Sequence, residues 1–156
     1  MNLRQMTPKD QIEIKRVYFD SIQSLDEKIY SQEQKSAWSS QAWDNPNFDK
    51  SITLGKGWLF SEEGTVAAFV SRYPNDRISL FYCKGRFQRK GLGALLLQKV
   101  EDEAKKEGLD FLSTEASLIS YGLFLKNKWA IIRKEKIIIN NIFFERYKMI
   151  KIIKNE

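Results

Sequence analysis

The sequence predicts an α+β fold: a largely antiparallel sheet with helices on its faces. Three observations carry this. The periodicity of apolar residues runs strand, helices, three strands, helix, strand, helix, two strands. Tight-turn residues at Glu62-Glu63-Gly64 and at Asn140-Asn141 join strands directly, as antiparallel neighbours require. No parallel βαβ unit opens the chain, which argues against a doubly wound sheet.

Each element has a local reason. Asn2 to Met6 reads as a short opening strand. Thr7-Pro8-Lys9-Asp10 then reads as a helix start, with Thr7 as cap and Pro8 at the first helical position. Ile12, Val17, Phe19 and Ile22 offer an apolar face for that helix. Ser31-Gln32-Glu33-Gln34 has the capping-box pattern of a second helix, which carries Trp38, Ala42 and Trp43. Asn45-Pro46 stops it and starts another short turn or helix. From Gly57 the period changes to strand, turn, strand, and a third strand runs from Arg77 to Cys83. Gly91 to Glu107 is the strongest helix, with Leu92, Leu95, Leu96, Val100 and Ala104 near one stripe and Gly108 after it. Leu109 to Ala116 is a strand and Leu118 to Asn127 a helix. Trp129–Ile139 and Ile142–Ile152 form the closing hairpin.

A length of 156 residues fits one domain, 1–156, and the sequence carries no repeat or hinge-like linker. The chain has 26 Lys+Arg, 20 Asp+Glu and a net charge of +6, which permits anionic partners without demanding them. It contains no His, which excludes a Ser-His-Asp triad and any His-ligated metal. Its single Cys excludes a disulfide framework and a Cys-rich zinc site. No signal peptide and no apolar run of ~20 residues is present, so a soluble, cytoplasmic protein without a bound metal is expected.

The chemistry lies between Cys83 and Ala94. A strand ends, a loop holding Lys84, Arg86, Arg89 and Lys90 follows, and the long helix begins at Gly91. Glycines at 91 and 93 allow a close approach to the backbone. Free amides and the helix dipole favour an anion there, and a diphosphate suits the site. A dinucleotide site is excluded because the three-glycine fingerprint is missing. An NTPase phosphate loop is excluded because no Gly-Lys-Ser/Thr occurs.

Gln88-Arg-Lys-Gly-Leu-Gly93 resembles the pyrophosphate motif Gln/Arg-x-x-Gly-x-Gly/Ala of the GNAT acyl-CoA-dependent N-acetyltransferases. Ile78 to Cys83 resembles the fourth strand of that family. Ser113-Thr-Glu-Ala-Ser117 and Tyr30 to Trp38 resemble the fifth strand and the substrate-side helix of a bacterial, small-molecule-type branch. The resemblance implies a mixed, mostly antiparallel sheet whose fourth and fifth strands splay apart around the pantetheine arm of acetyl-CoA. It also implies that the backbones of Phe81 and Cys83 hold the acetyl-pantetheine. The amides of Gln88, Arg89, Lys90, Gly91, Leu92 and Gly93 then cradle the pyrophosphate. Ser117 stands where the family often has an Asn that contacts coenzyme.

The pattern breaks at Phe124, where the family often has the Tyr that protonates the leaving thiolate. Tyr121, one turn earlier, is the replacement acid. Glu115 is the candidate base, because apolar neighbours raise a carboxyl pKa toward neutrality. Tyr30, Trp38 and Trp43 are the candidate walls of the acceptor site, suited to a cationic amine. The expected function is transfer of an acetyl group from acetyl-CoA to a primary amine, with a small amine-bearing acceptor and no membrane partner. The competing readings are an acyl-CoA-binding sensor or scaffold without turnover, and a basic RNA-interacting module built on the C-terminal cations. An exposed last strand suggests a homodimer.

Overall fold

The computed structural model describes residues 1–154. Strands β1 (Asn2–Gln5), β2 (Lys56–Glu62), β3 (Thr65–Arg72), β4 (Arg77–Cys83), β5 (Phe111–Ala116), β6 (Ala130–Ile139) and β7 (Ile142–Ile152) form one sheet. Its order is β1-β2-β3-β4-β5-β7-β6. All neighbours are antiparallel except β4 and β5, which run parallel. The helices are α1 (Gln11–Gln23), α2 (Gln32–Ser39), α3 (Gln41–Asp44), α4 (Pro46–Thr53), α5 (Leu92–Lys106) and α6 (Tyr121–Lys126). Among the described residues, no helix is long and apolar enough to cross a membrane.

The two tight turns form as the sequence predicts. Glu63 and Gly64 take φ of 50° and 80°, and Asn140 and Asn141 take 49° and 64°. Positive φ at both central residues matches the twist of the flanking strands. The single helix expected from Ser31 through Trp43 is instead two short ones, α2 and α3, and α4 is the further short helix expected after Asn45-Pro46. Ser31 caps the first, accepting from the Gln34 amide at 3.1 Å. Asn45 caps the last, accepting from the Asn47 amide at 3.0 Å.

Two apolar faces need correcting. In α1 the buried residues are Ile14, Val17, Tyr18, Ser21 and Ile22, whereas Ile12 and Phe19 are exposed. The i, i+3, i+4, i+7 series starts at Ile14, so Ile12 falls off the stripe. In α5 Leu97 is buried and Leu95 exposed, with Leu92, Leu96, Val100 and Ala104 as expected. Burying one such leucine fully is worth about 1.5–3 kcal/mol.

The sheet therefore separates two cores. On one face α5 packs with Phe60, Ala68, Val70, Leu112, Phe124, Trp129 and Met149. On the other, α1, α3 and α4 pack with Leu59, Val66, Phe69 and Leu80. The last strand is not an edge: β7 lies between β5 and β6, and β6 is exposed instead. That edge carries Arg133, Lys134 and Lys136, and its register slips between Ile131 and Arg133. A bulge and cations on an edge discourage pairing with another strand.

Candidate active site

The sheet opens at β4 and β5. Only Arg77↔Ser113 and Ile78↔Thr114 are in register, after which the strands diverge. The closed end is fastened by the Ser113 amide donating to Asp76 O (2.9 Å) and by Thr114 Oγ1 donating to Ile78 O (2.9 Å). A bulge also bends β4 at Ser79: Arg72 opposes Ile78 and Ser71 opposes Leu80, so Ser79 has no register partner on β3. Its hydroxyl donates to Ser71 O at 3.2 Å. The bulge resets the alternation, and Ile78 shares a face with Phe81 and Cys83 while Leu80 and Tyr82 face the other core.

Alternation also sets the backbone directions. The Lys84 amide donates across to Ala67 O on β3 at 2.9 Å. The N–H and C=O groups of Cys83 and Phe81 therefore point the other way, into the opening. Gln88 Nε2 donates to the Cys83 carbonyl at 3.2 Å, which ties the following loop to this edge.

That loop ends in an anion cradle. The amides of Arg89, Lys90, Gly91, Leu92, Gly93 and Ala94 meet no protein acceptor among the described residues. Six successive free donors at the start of a 15-residue helix bind negative charge by hydrogen bond and by dipole. Gly91 has a φ of +82°, and a Cβ added there would meet nothing within 4 Å. At Gly93 an added Cβ would come within 3.2 Å of Leu123 and 3.6 Å of Phe81. The first glycine supplies a left-handed turn, and the second lets α5 approach β4 and α6 closely. Arg86 and Lys90 lie over the buried Phe87 ring, at 4.5 Å and 5.5 Å, which holds both cations on this loop. The Gln88 amide differs from its neighbours, since it donates to Gly85 O at 3.2 Å. Ala94 takes its place in the run.

Beside the opening lies a cavity of about 180 Å³. Tyr30 and Trp38 line it, as do Phe81, Glu115, Ser117 and Phe124. Arg77, Tyr82, Phe144, Glu145 and Arg146 line it too, and the sequence did not reveal them as a group. They come from β4 and β7, more than sixty residues apart in sequence. The even spacing of Phe144 and Arg146 on a strand is the only local signal. The Tyr30 ring sits 5.1 Å from Trp38 and 6.4 Å from Phe144. Its hydroxyl accepts from the Leu118 amide at 3.0 Å and so locks the α2 side to the segment after β5. Burial raises the pKa of Tyr30, and the bonds with Leu118 and Ser117 partly oppose that. Burial likewise pushes Tyr82 up to about 12.

Other expected residues stand elsewhere or in other roles. Trp43 is 58% exposed, edge-on to Phe19 and under Lys15, away from the cavity. Five residues after Trp38 is about 140° around a helix, so the two rings diverge. Tyr121 packs on Tyr147 with ring centroids 4.5 Å apart and does not line the cavity. Phe124 does, wedged between Phe81 and Trp129. Glu115 lacks the apolar setting expected of it. Arg77 Nε lies 2.9 Å away and Lys148 Nζ 3.6 Å away. Ser117 Oγ accepts from the amides of Ile119 and Ser120, capping the approach to α6. Burial pushes the Cys83 thiol up to about 11, which keeps it neutral and unreactive. The C-terminal cations are largely paired: Lys134 with Glu145, Arg133 and Arg146 with Glu135, and Lys151 with Glu101.

A sheet that splits at one parallel seam, with an anion cradle at its mouth, defines a class of α+β folds. Residues 19–127 match the acetyltransferase (GNAT) family. The chain belongs to that family. Among solved structures it is similar to a GCN5-related N-acetyltransferase from Rhodopseudomonas palustris, with 24% identity and a TM-score of 0.89 over 97% of this chain and 94% of the other. It is similar to the PaiA N-acetyltransferase of Thermoplasma acidophilum in complex with coenzyme A, at 16% identity and a TM-score of 0.73 over 97% and 99%. A Salmonella typhimurium acetyltransferase structure with its cofactor acetyl-CoA matches at 15% identity and 0.67 over 100% and 95%. No curated protein matches the chain.

Proposed function

We propose that the protein transfers an acetyl group from acetyl-CoA to the primary amine of a small acceptor, by direct attack. The observation that carries this reading is the run of free amides from Arg89 to Ala94 at the mouth of the β4–β5 opening. It fits a pyrophosphate, and the opening behind it fits an extended arm. The Thermoplasma and Salmonella proteins, which hold coenzyme A and acetyl-CoA, support the choice of carrier.

Acetyl-CoA supplies an activated thioester. The chain's own groups do the rest. The edge groups of Phe81 and Cys83 hold the arm, and the outward amides of β4 polarise the carbonyl where negative charge develops. Ser117 orders the turn below the arm. Tyr30 and Trp38 wall the acceptor. Glu115 accepts a hydrogen bond from the amine, whose proton leaves through water. That bond positions the nucleophile, with the carboxylate itself held in place by Arg77 and Lys148. The nitrogen–carbon bond forms as the carbon–sulfur bond breaks. Tyr121 is turned onto Tyr147, so water returns the proton to the sulfur.

Thermal unfolding with acetyl-CoA tests this reading. A ligand present at 100 times its dissociation constant adds ~2.7 kcal/mol to the folded state. A raised midpoint together with thiol release on adding amines supports transfer. A raised midpoint with no thiol release across a broad amine set would leave an acyl-CoA-binding protein without turnover. No shift would remove both.

A further inference from the structure

The acceptor cavity is lined by charges of both signs, Arg77 and Arg146 with Glu115 and Glu145. Glu115 faces Arg77 and Lys148, Glu135 faces Arg133 and Arg146, and Glu145 is held by Lys134. Three carboxylates thus meet five cations. Two of those cations, Arg77 and Arg146, line the cavity itself. Arg77 gives Nε to Glu115 and Nη1 to the Tyr73 carbonyl (3.0 Å), which leaves Nη2 without an acceptor among the described residues. Arg146 gives Nε to Glu135 at 3.0 Å, which leaves both terminal nitrogens without an acceptor among the described residues. Both side chains are about one-third exposed, at 34% and 32%. Guanidinium groups bound on one side and open on the other suit a carboxylate.

We propose that the acceptor is a zwitterion, an α-amino acid with an apolar side chain. Arg146 and Arg77 hold its carboxylate, Glu115 takes its amine, and the rings of Trp38, Tyr82 and Phe144 cover its side chain. The Glu115–Arg77 pair presents adjacent opposite charges, complementary to the ammonium and carboxylate of one molecule. A lone ammonium would leave the two guanidinium groups unengaged, and a polyamine would bring further positive charge against them. The cavity volume agrees: about 180 Å³ is small beside the roughly 300–1,000 Å³ of sites for larger ligands. This inference rests on the acetyl-transfer reading above and names its acceptor class.

The test compares matched probes by thiol release: L-phenylalanine with phenethylamine, and L-leucine with isoamylamine, with spermidine as the cationic extreme. Each amino acid should exceed its decarboxylated partner in kcat/KM by about tenfold or more, the worth of one charge-assisted hydrogen bond. Arg146→Gln should narrow that gap, and Arg146→Lys, which keeps the charge but loses the fork, should narrow it less. Equal or faster turnover of the decarboxylated amines or spermidine overturns the inference, as does a gap unmoved by Arg146→Gln in a folded variant. Stabilisation by acetyl-CoA without turnover of either amino acid overturns the acceptor class alone. Absence of stabilisation by acetyl-CoA overturns the reading beneath it.

Discussion

The two sides of the β4–β5 opening are built by different means. On the α5 side the site is backbone: six consecutive amides from one short segment, shaped by Gly91 and Gly93. On the α2 and β7 side it is side chains from Tyr30, Trp38, Arg77, Glu115, Phe144 and Arg146, delivered by several separate elements. A backbone site needs only the right φ and no Cβ in the way, so most of its residues can vary. A side-chain site changes its ligand with each substitution. The first side therefore tolerates substitution at most of its positions, and the second does not.

The residue the two sides share should give the largest effect. Phe124 lines the cavity and is 1% exposed, packed against Phe81 and Trp129. Phe124→Ala should cost about 3–5 kcal/mol in denaturant unfolding and weaken both sides together. Gly91→Glu separates them. It places an anion before the helix and forces a left-handed residue, so the ~2.7 kcal/mol of stabilisation by saturating acetyl-CoA should vanish in a thermal melt. Retained stabilisation in that variant would move the carrier away from α5. Glu115→Gln acts on the other side only. Turnover should fall about tenfold or more in steady-state assays while acetyl-CoA still raises the midpoint. Tyr30→Phe should cost about 1 kcal/mol, since the Leu118 amide loses its acceptor, and calorimetry would read it.

The smallest effect lies outside both sides and calibrates them. Arg4 donates to Asp10 at 2.7 Å and, by that bond, lowers the Asp10 pKa from its ordinary 3.8. A depressed folded pKa gives stability that is present above the unfolded value and lost as pH falls through the folded one. Arg4→Gln should therefore lower the neutral-pH midpoint slightly, flatten stability against pH below about 4, and leave the shift produced by acetyl-CoA unaltered. A shift in acetyl-CoA binding would show that the β1 edge reaches the site.

Legibility followed the same division. The cradle could be read because Gly91, Gly93 and their cations are contiguous, and the turns because Glu63-Gly64 and Asn140-Asn141 state their own φ. The splay of β4 and β5 came from resemblance rather than periodicity, since nothing in Ile78 to Cys83 announces a lost neighbour. The cavity was mostly hidden. Arg146 looks like any solvated strand cation until β7 is threaded between β5 and β6. The ion pairs around Glu115 are invisible for the same reason, because Arg77 and Lys148 lie 38 residues before it and 33 after. Trp43 misled because helical spacing alone does not say which ring faces inward.

The seam between β4 and β5 has a mechanical meaning. Among the described residues, two register pairs and two fastening bonds are all the sheet hydrogen bonding that joins β1–β4 to β5–β7–β6. Without ligand, the two strand groups should release their amides to solvent deuterium in separate cooperative bursts. A carrier lying along the seam acts as a splint, and its arrival should fuse the two bursts into one.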